Sequence, residues 1–243
     1  MFSKSNLSKY FAIVSVLALV LGSFFVVWMT VLFCLRALLE TGLLSESILL
    51  STVGQVVISL AVYGLTLCAI IGVYRSLYGP KESMSTLLAT TRRIVPRDIV
   101  YVLAGYGVYF VASIVVVGLS AILLPGIDLD EKQNVGFENV QGGIELGLAF
   151  VVLVVLAPLV EEVVFRGFLF GRLRKKTNFF VSAFLTSLAF AVVHLQLNVG
   201  IDVFVLSIIL CYLREKTGAI WASVCVHMMK NALAFAVIFL YSS

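Results

Sequence analysis

The stretch 144-IELGLAFVVLVVLAPLVEEVVFRGFLFG-171 decides the fold. From Leu146 to Val160 it carries no charged side chain; Glu161, Glu162 and Arg166 then interrupt a run that stays apolar to Gly171. A hydrocarbon core about 30 Å thick takes roughly 20 apolar residues of helix, and this run is long enough. It has no period-2 alternation, so it fits a helix whose backbone satisfies its own hydrogen bonds far better than a barrel strand.

Working outward, comparable runs occupy Tyr10–Leu38, Ile48–Val73, Ile99–Leu124, Phe179–Leu195, Val199–Leu213 and Ala219–Leu240, the fifth and sixth in chain order being short. The expected fold is all-α: a polytopic transmembrane helical bundle of about seven spans. Composition agrees, at 61% hydrophobic and 12% charged, against roughly 25% charged in a soluble domain. The first run follows Lys4 and Lys9 as a signal peptide would, but it far exceeds a short signal core and lacks a small-residue cleavage site. It is expected to stay attached.

Loop charge gives an orientation. With the N-terminus cytoplasmic, Lys4, Lys9, Arg75, Lys81, Arg92, Arg93, Arg97, Arg172, Arg174, Lys175, Lys176, Arg214 and Lys216 lie inside. Only Arg36 and Lys132 lie outside, while Arg166 and Lys230 fall within spans. That asymmetry favours seven spans with the N-terminus in and the C-terminus out. The net charge of +4 is then the basic excess that orients helices against an anionic inner leaflet, and no nucleic-acid partner follows from it. The plasma (cell) membrane is the expected location, with the bilayer as a partner.

Cys34, Cys68, Cys211 and Cys225 all sit in apolar runs without CxxC spacing and read as small packing residues, neither disulfides nor zinc ligands. No repeat or soluble domain is visible, so residues 1–243 read as one integral-membrane domain. The outer loop Pro125–Gly143 carries Asp128, Asp130 and Glu131, an exposed acidic loop without EF-hand spacing.

Polarity within the spans divides the chain: apart from Tyr and Cys, the first three spans hold no ionisable side chain at mid-depth. The last four, over 144–240, hold nearly all the others, which marks them as the core of a site. Glu162 and Arg166 are i,i+4 on a helix and can pair, whereas Glu161 is turned about 100° away. Pro158, one turn earlier, removes a backbone donor and is expected to kink the helix where the carboxylates enter. The only two histidines, His194 and His227, both lie in apolar runs, with Phe190 four residues before the first and Asn231 four after the second.

At 1.5 Å per residue, Glu161 and His227 each stand about 16 Å from the inner basic edge. His194 stands roughly 27 Å along its helix and meets them only if that helix tilts or starts outside the hydrocarbon.

Carboxylate, imidazole and carboxamide together suit amide hydrolysis. A desolvated glutamate can act as base toward a water that an imidazole shares; a second imidazole and an asparagine amide can donate to the oxyanion. Other designs are missing: Leu195 follows His194, so there is no HExxH; Asp202 is the only aspartate near the last four spans; and there is no GxSxG elbow. The donor set requires no cofactor. Zinc stays open as an alternative, since two histidines and a glutamate form known His₂Glu sites.

Glu161-Glu162-x-x-x-Arg166, Phe190-x-x-x-His194 and His227-x-x-x-Asn231, in this order on successive helices, resemble the CPBP (ABI) family of CAAX proteases and bacteriocin-processing enzymes over about Ala157–Phe235. The resemblance implies an intramembrane endopeptidase acting on a membrane-associated or lipidated protein or peptide. Glu161 and His194 would activate water, His227 and Asn231 would form the oxyanion hole, and Glu162 with Arg166 would support the site. The family has been labelled metalloprotease, and a metal-free glutamate mechanism has also been proposed for it. Some relatives have eight spans. Two other functions fit some of these residues: a membrane immunity or binding protein that keeps the fold without catalysis, and a proton-coupled transporter, which the crowding of polar residues into one half disfavours.

Overall fold

The computed structural model describes residues 4–241 except Asp130, Lys132, Asn134, Glu138 and Gln141, with side chains from Leu7 onward. Expectations placed on Asp130, Lys132 and the Lys4 side chain lie outside the described residues.

Among the described residues seven principal helices follow one another: α1 Lys4–Glu40, α2 Thr52–Tyr78, α3 Pro96–Leu123, α4 Ile144–Arg174, α5 Phe179–Val192, α6 Leu197–Thr217 and α7 Trp221–Tyr241. One-turn helices at Glu46–Leu49 and Met84–Leu87 lie in the connections. Six of the seven are long and apolar enough to cross a membrane. The exception is α5, which has 14 residues and so rises only about 21 Å. Of the two runs read as short, Val199–Leu213 grows into the 21-residue α6, while Phe179–Leu195 stays below spanning length.

Local chemistry sets the ends. Ser51 caps α2 by accepting from the Gly54 amide at 3.1 Å, and Asn178 caps α5 from Val181 at 3.0 Å. Pro96 occupies the first turn of α3, where its missing donor is not needed. Gly218 closes α6 at φ 75°. The turn after α5 instead places Leu195, which is not glycine, at φ 54°, a conformation that costs a side-chain-bearing residue roughly 1–2 kcal/mol.

The α4 helix is not regular. π-helical turns at Val151–Leu156 and Val163–Leu169 flank the α-helical Ala157–Glu162, so the interruption expected at Pro158 takes the form of widened turns. The Ala157 amide bonds to Val152 O, five residues back, and Pro158 has no amide to give. Leu153 O is thereby left by both of its ladder partners.

Helix α1 packs on α2 and α4; α6 packs against α3, α5 and α7; and α7 also contacts α3 and α4. One core joins Val16 and Val20 of α1, Ile70 of α2, Phe165 and Phe168 of α4 and Phe190 of α5. Buried small residues, including Ser182, Ala183, Thr186 and Ser187 on α5 and Ser207 on α6, allow the close helix approach that packing in lipid requires. Large apolar residues such as Phe11, Phe25, Phe33, Val100 and Leu103 point outward, as suits helices with hydrocarbon around them. Cys211 is buried, but Cys34 and Cys68 are exposed on that outer surface; the packing role expected of those two is corrected, because their helices turn them away from the bundle.

The loops sort onto two faces. On one, Arg92 Nε donates to Thr217 O at 2.6 Å, Trp221 Nε1 donates to Arg92 O at 2.7 Å, and Glu82 pairs with Arg172 and Lys175. On the other, Asn198 Nδ2 donates to Glu131 O at 2.8 Å and Asn139 Nδ2 to Leu50 O at 3.3 Å. Basic side chains thus gather on one face, as the loop-charge argument requires.

Candidate active site

Glu161, His194, His227 and Asn231 line one cavity of about 390 Å³, together with Tyr63 and residues 133 and 135 of the loop between α3 and α4. Glu162 and Arg166 lie behind it with side chains fully buried, Arg166 Nη1 donating to Glu162 Oε1 at 2.8 Å. The i,i+4 pair read from the sequence therefore forms. It also reaches across to α7, where His227 Nδ1 is 3.0 Å from the same Glu162 oxygen.

The guanidinium carbon of Arg166 stands 4.4 Å from the Phe190 ring centroid, a cation–π contact that offsets part of the cost of burying the charge. Phe190 also meets both imidazoles edge-on, with centroids 4.9 Å from His194 and 5.7 Å from His227. Its place four residues before His194 thus makes it the common wall of both rings.

On the far side of the ring, His227 Nε2 faces Glu161 Oε2 at 3.7 Å. His194 Nδ1 lies 2.7 Å from Phe190 O; a carbonyl cannot donate, so Nδ1 carries the hydrogen and the neutral ring keeps Nε2 as its acceptor.

Glu161 finds its partners on other helices. Tyr63 of α2 donates its hydroxyl to Glu161 Oε1 at 3.0 Å, so the carboxylate is held between α2 and α7. Sequence reasoning passed over Tyr63, which has no motif around it; its signal was a hydroxyl in the middle of an apolar run.

Asn231 has a backbone partner too. Its Nδ2 donates to Leu153 O at 2.9 Å, the carbonyl that the π turn and Pro158 leave without an amide. A proline on α4 and an asparagine on α7 are thus linked by one hydrogen bond, and Asn231 keeps a second amide hydrogen beside the cavity.

His194 reaches the same cavity as Glu161 and His227. Helix α5 begins at Phe179 and ends at Val192, and His194 lies in the turn beyond it, where the cavity extends toward residues 133 and 135. Among the described residues, no group of three or more His, Cys, Asp or Glu side chains could hold a metal ion.

Residues 144–233 match the family described as Type II CAAX prenyl endopeptidase Rce1-like. The chain is also similar to a Bacillus subtilis (strain 168) protein described as "Putative membrane peptidase YdiL", at 32% identity over 84 residues. That match covers 35% of this chain and 34% of the relative, so the chain spans about a third of the relative it matches. No solved structure matches the chain.

Proposed function

With both comparisons supporting the CPBP/CAAX protease family, and a membrane peptidase at the level of that family, we propose that this multi-pass membrane protein is an intramembrane endopeptidase. Its substrate is a membrane-associated or lipidated protein or peptide. The observation that carries this reading is the meeting of Glu161, His194, His227 and Asn231 in one cavity from three separate helical regions.

In the proposed reaction, water bound between Glu161 and His194 Nε2 gives up a proton as its oxygen attacks the scissile carbonyl carbon. Tyr63 holds Oε1 of Glu161 and leaves Oε2 for that water. The developing oxyanion takes hydrogen bonds from the second Nδ2 hydrogen of Asn231 and from His227 Nε2. Glu162 at 3.0 Å and Glu161 at 3.7 Å flank the His227 ring, and the proton on Nε2 is the one that reaches the oxyanion. Collapse of the tetrahedral intermediate breaks the C–N bond, and the proton taken by the base passes to the leaving amine. No step is routed through a metal.

Glu161→Ala, His194→Ala and His227→Ala are expected to abolish cleavage, each by about 10²-fold or more, with the protein still membrane-inserted. Normal processing by any of them defeats the assignment. Cleavage is also expected to survive chelation and dialysis; a loss restored by added zinc would replace the glutamate-centred water with a metal-centred one. We further assign the basic loop face to the cytoplasm of the cell membrane, so an N-terminal tag should be protected in intact cells and reachable once they are opened.

A further inference from the structure

Lys230 belongs to none of the three motifs, yet it stands at mid-depth, about 14 Å along α7 from Trp221. A charge at such depth is costly and marks a function by default. Its carboxylate neighbour is Asp202 of α6, with Nζ 3.7 Å from Oδ2. That is longer than a charge-assisted hydrogen bond of about 2.8 Å.

The oxygens of Asp202 are occupied otherwise: Tyr109 of α3 donates to them at 2.9 and 3.1 Å, and Ser113 donates at 2.5 Å. Asp202 is therefore anchored by two hydroxyls and balances the lysine's charge at a distance, without engaging its donors. A lysine buried only to bridge helices would sit in direct hydrogen bond with its acid.

Lys230 instead lines two cavities at once, the one that holds Glu161 and a second of about 370 Å³ between α3, α6 and α7. On the α7 wheel it projects about 60° to one side of His227, with Asn231 about 40° to the other. A cation with unspent donors thus stands beside the proposed oxyanion residues, in surroundings of low dielectric where an anion answers it strongly.

We propose that Lys230 is a specificity-determining residue that binds a carboxylate of the substrate peptide close to the scissile bond, an inference that rests on the peptidase reading above. A peptide offers that chemistry from two sources, its free C-terminus or an Asp or Glu side chain.

The test uses the full-length protein in lipid vesicles and a synthetic peptide whose cleavage requires Glu161. The peptide is made as the free acid, as the C-terminal amide, and as the free acid with Asp and Glu replaced by Asn and Gln. Wild type is expected to lose about tenfold or more in kcat/KM, mainly through KM, on whichever form lacks the bound carboxylate, and the form affected names the source. In Lys230→Gln the ratio between forms should fall to about one, while Lys230→Arg should keep most of it. The ratio is internal to each variant, so a loss of folded protein leaves it unmoved.

Equal rates of wild type on all three forms overturn the inference, as does a Lys230→Gln ratio equal to that of wild type. Should Lys230→Gln fail to insert, the wild-type comparison alone decides. Absence of any peptide whose cleavage requires Glu161 overturns the peptidase reading itself.

Discussion

At the scale of single residues, the chemistry turns on how few partners each polar group has. Glu161 is 14% exposed at its side chain and accepts one hydrogen bond, from Tyr63. A hydrogen bond to a charged group contributes about 1.5–3 kcal/mol, so Tyr63→Phe should lower kcat by roughly 10- to 100-fold without changing the amount of inserted protein. Cleavage assays on purified protein check this, and an unchanged rate would make Tyr63 a bystander. The six candidate residues stand out in the sequence because Glu, Arg, His and Asn are conspicuous in apolar helices. Tyr63 was not, because a tyrosine in a span is as often a packing residue, and only the folded chain brings position 63 to position 161.

At the scale of elements, α4 is built around two local departures from regular helix, and its neighbours answer each. Asn231 takes up Leu153 O beside the first π turn. At the second, Gly167 lets the backbone of Leu88 approach so closely that a Cβ at Gly167 would strike the Leu88 carbonyl oxygen. Gly167→Ala should therefore destabilise the protein by about 1–3 kcal/mol through overpacking. Gly147→Ala, on the same helix with nothing within 4 Å, should stabilise it by about 0.5–1 kcal/mol. Thermal unfolding in detergent distinguishes the two, and equal shifts would contradict the close approach. Helix existence and order were legible from hydropathy alone. The π turns were not, since hydrogen-bond register leaves no mark in composition, although Pro158 told where the register had to change.

At the scale of the whole molecule, the basic loop face is tied to the bundle by ion pairs at its edge. Glu82 meets Arg172 and Lys175. Its carboxyl is held below the usual carboxylate range chiefly by the hydrogen bond from Arg172, against the opposing pull of burial, with Lys175 adding to it. A depressed folded pKa stabilises above the unfolded value, and that stability is lost as pH falls through the folded one. Acidification below the ordinary carboxylate range should thus loosen this face, and Glu82→Gln should be less stable near neutrality yet show less of the acid-induced loss. Unfolding followed across pH for both proteins checks the sign. The sorting of loops into two faces was legible in the Lys and Arg positions, and the shortness of α5 in the length of its apolar run, whereas the point at which α5 ends was not. The apolar run continues to Leu195, but the helix stops at Val192 and a left-handed Leu195 turns the chain, which is what delivers His194 to the cavity.

The central claim, that Glu161 activates water for peptide cleavage in the membrane, is tested most directly by comparing membrane peptides from cells carrying the wild-type protein with those from cells carrying Glu161→Ala at equal abundance. At least one cleavage product is expected with wild type and not with Glu161→Ala, its precursor accumulating in the variant. Identical peptide sets from the two would contradict it.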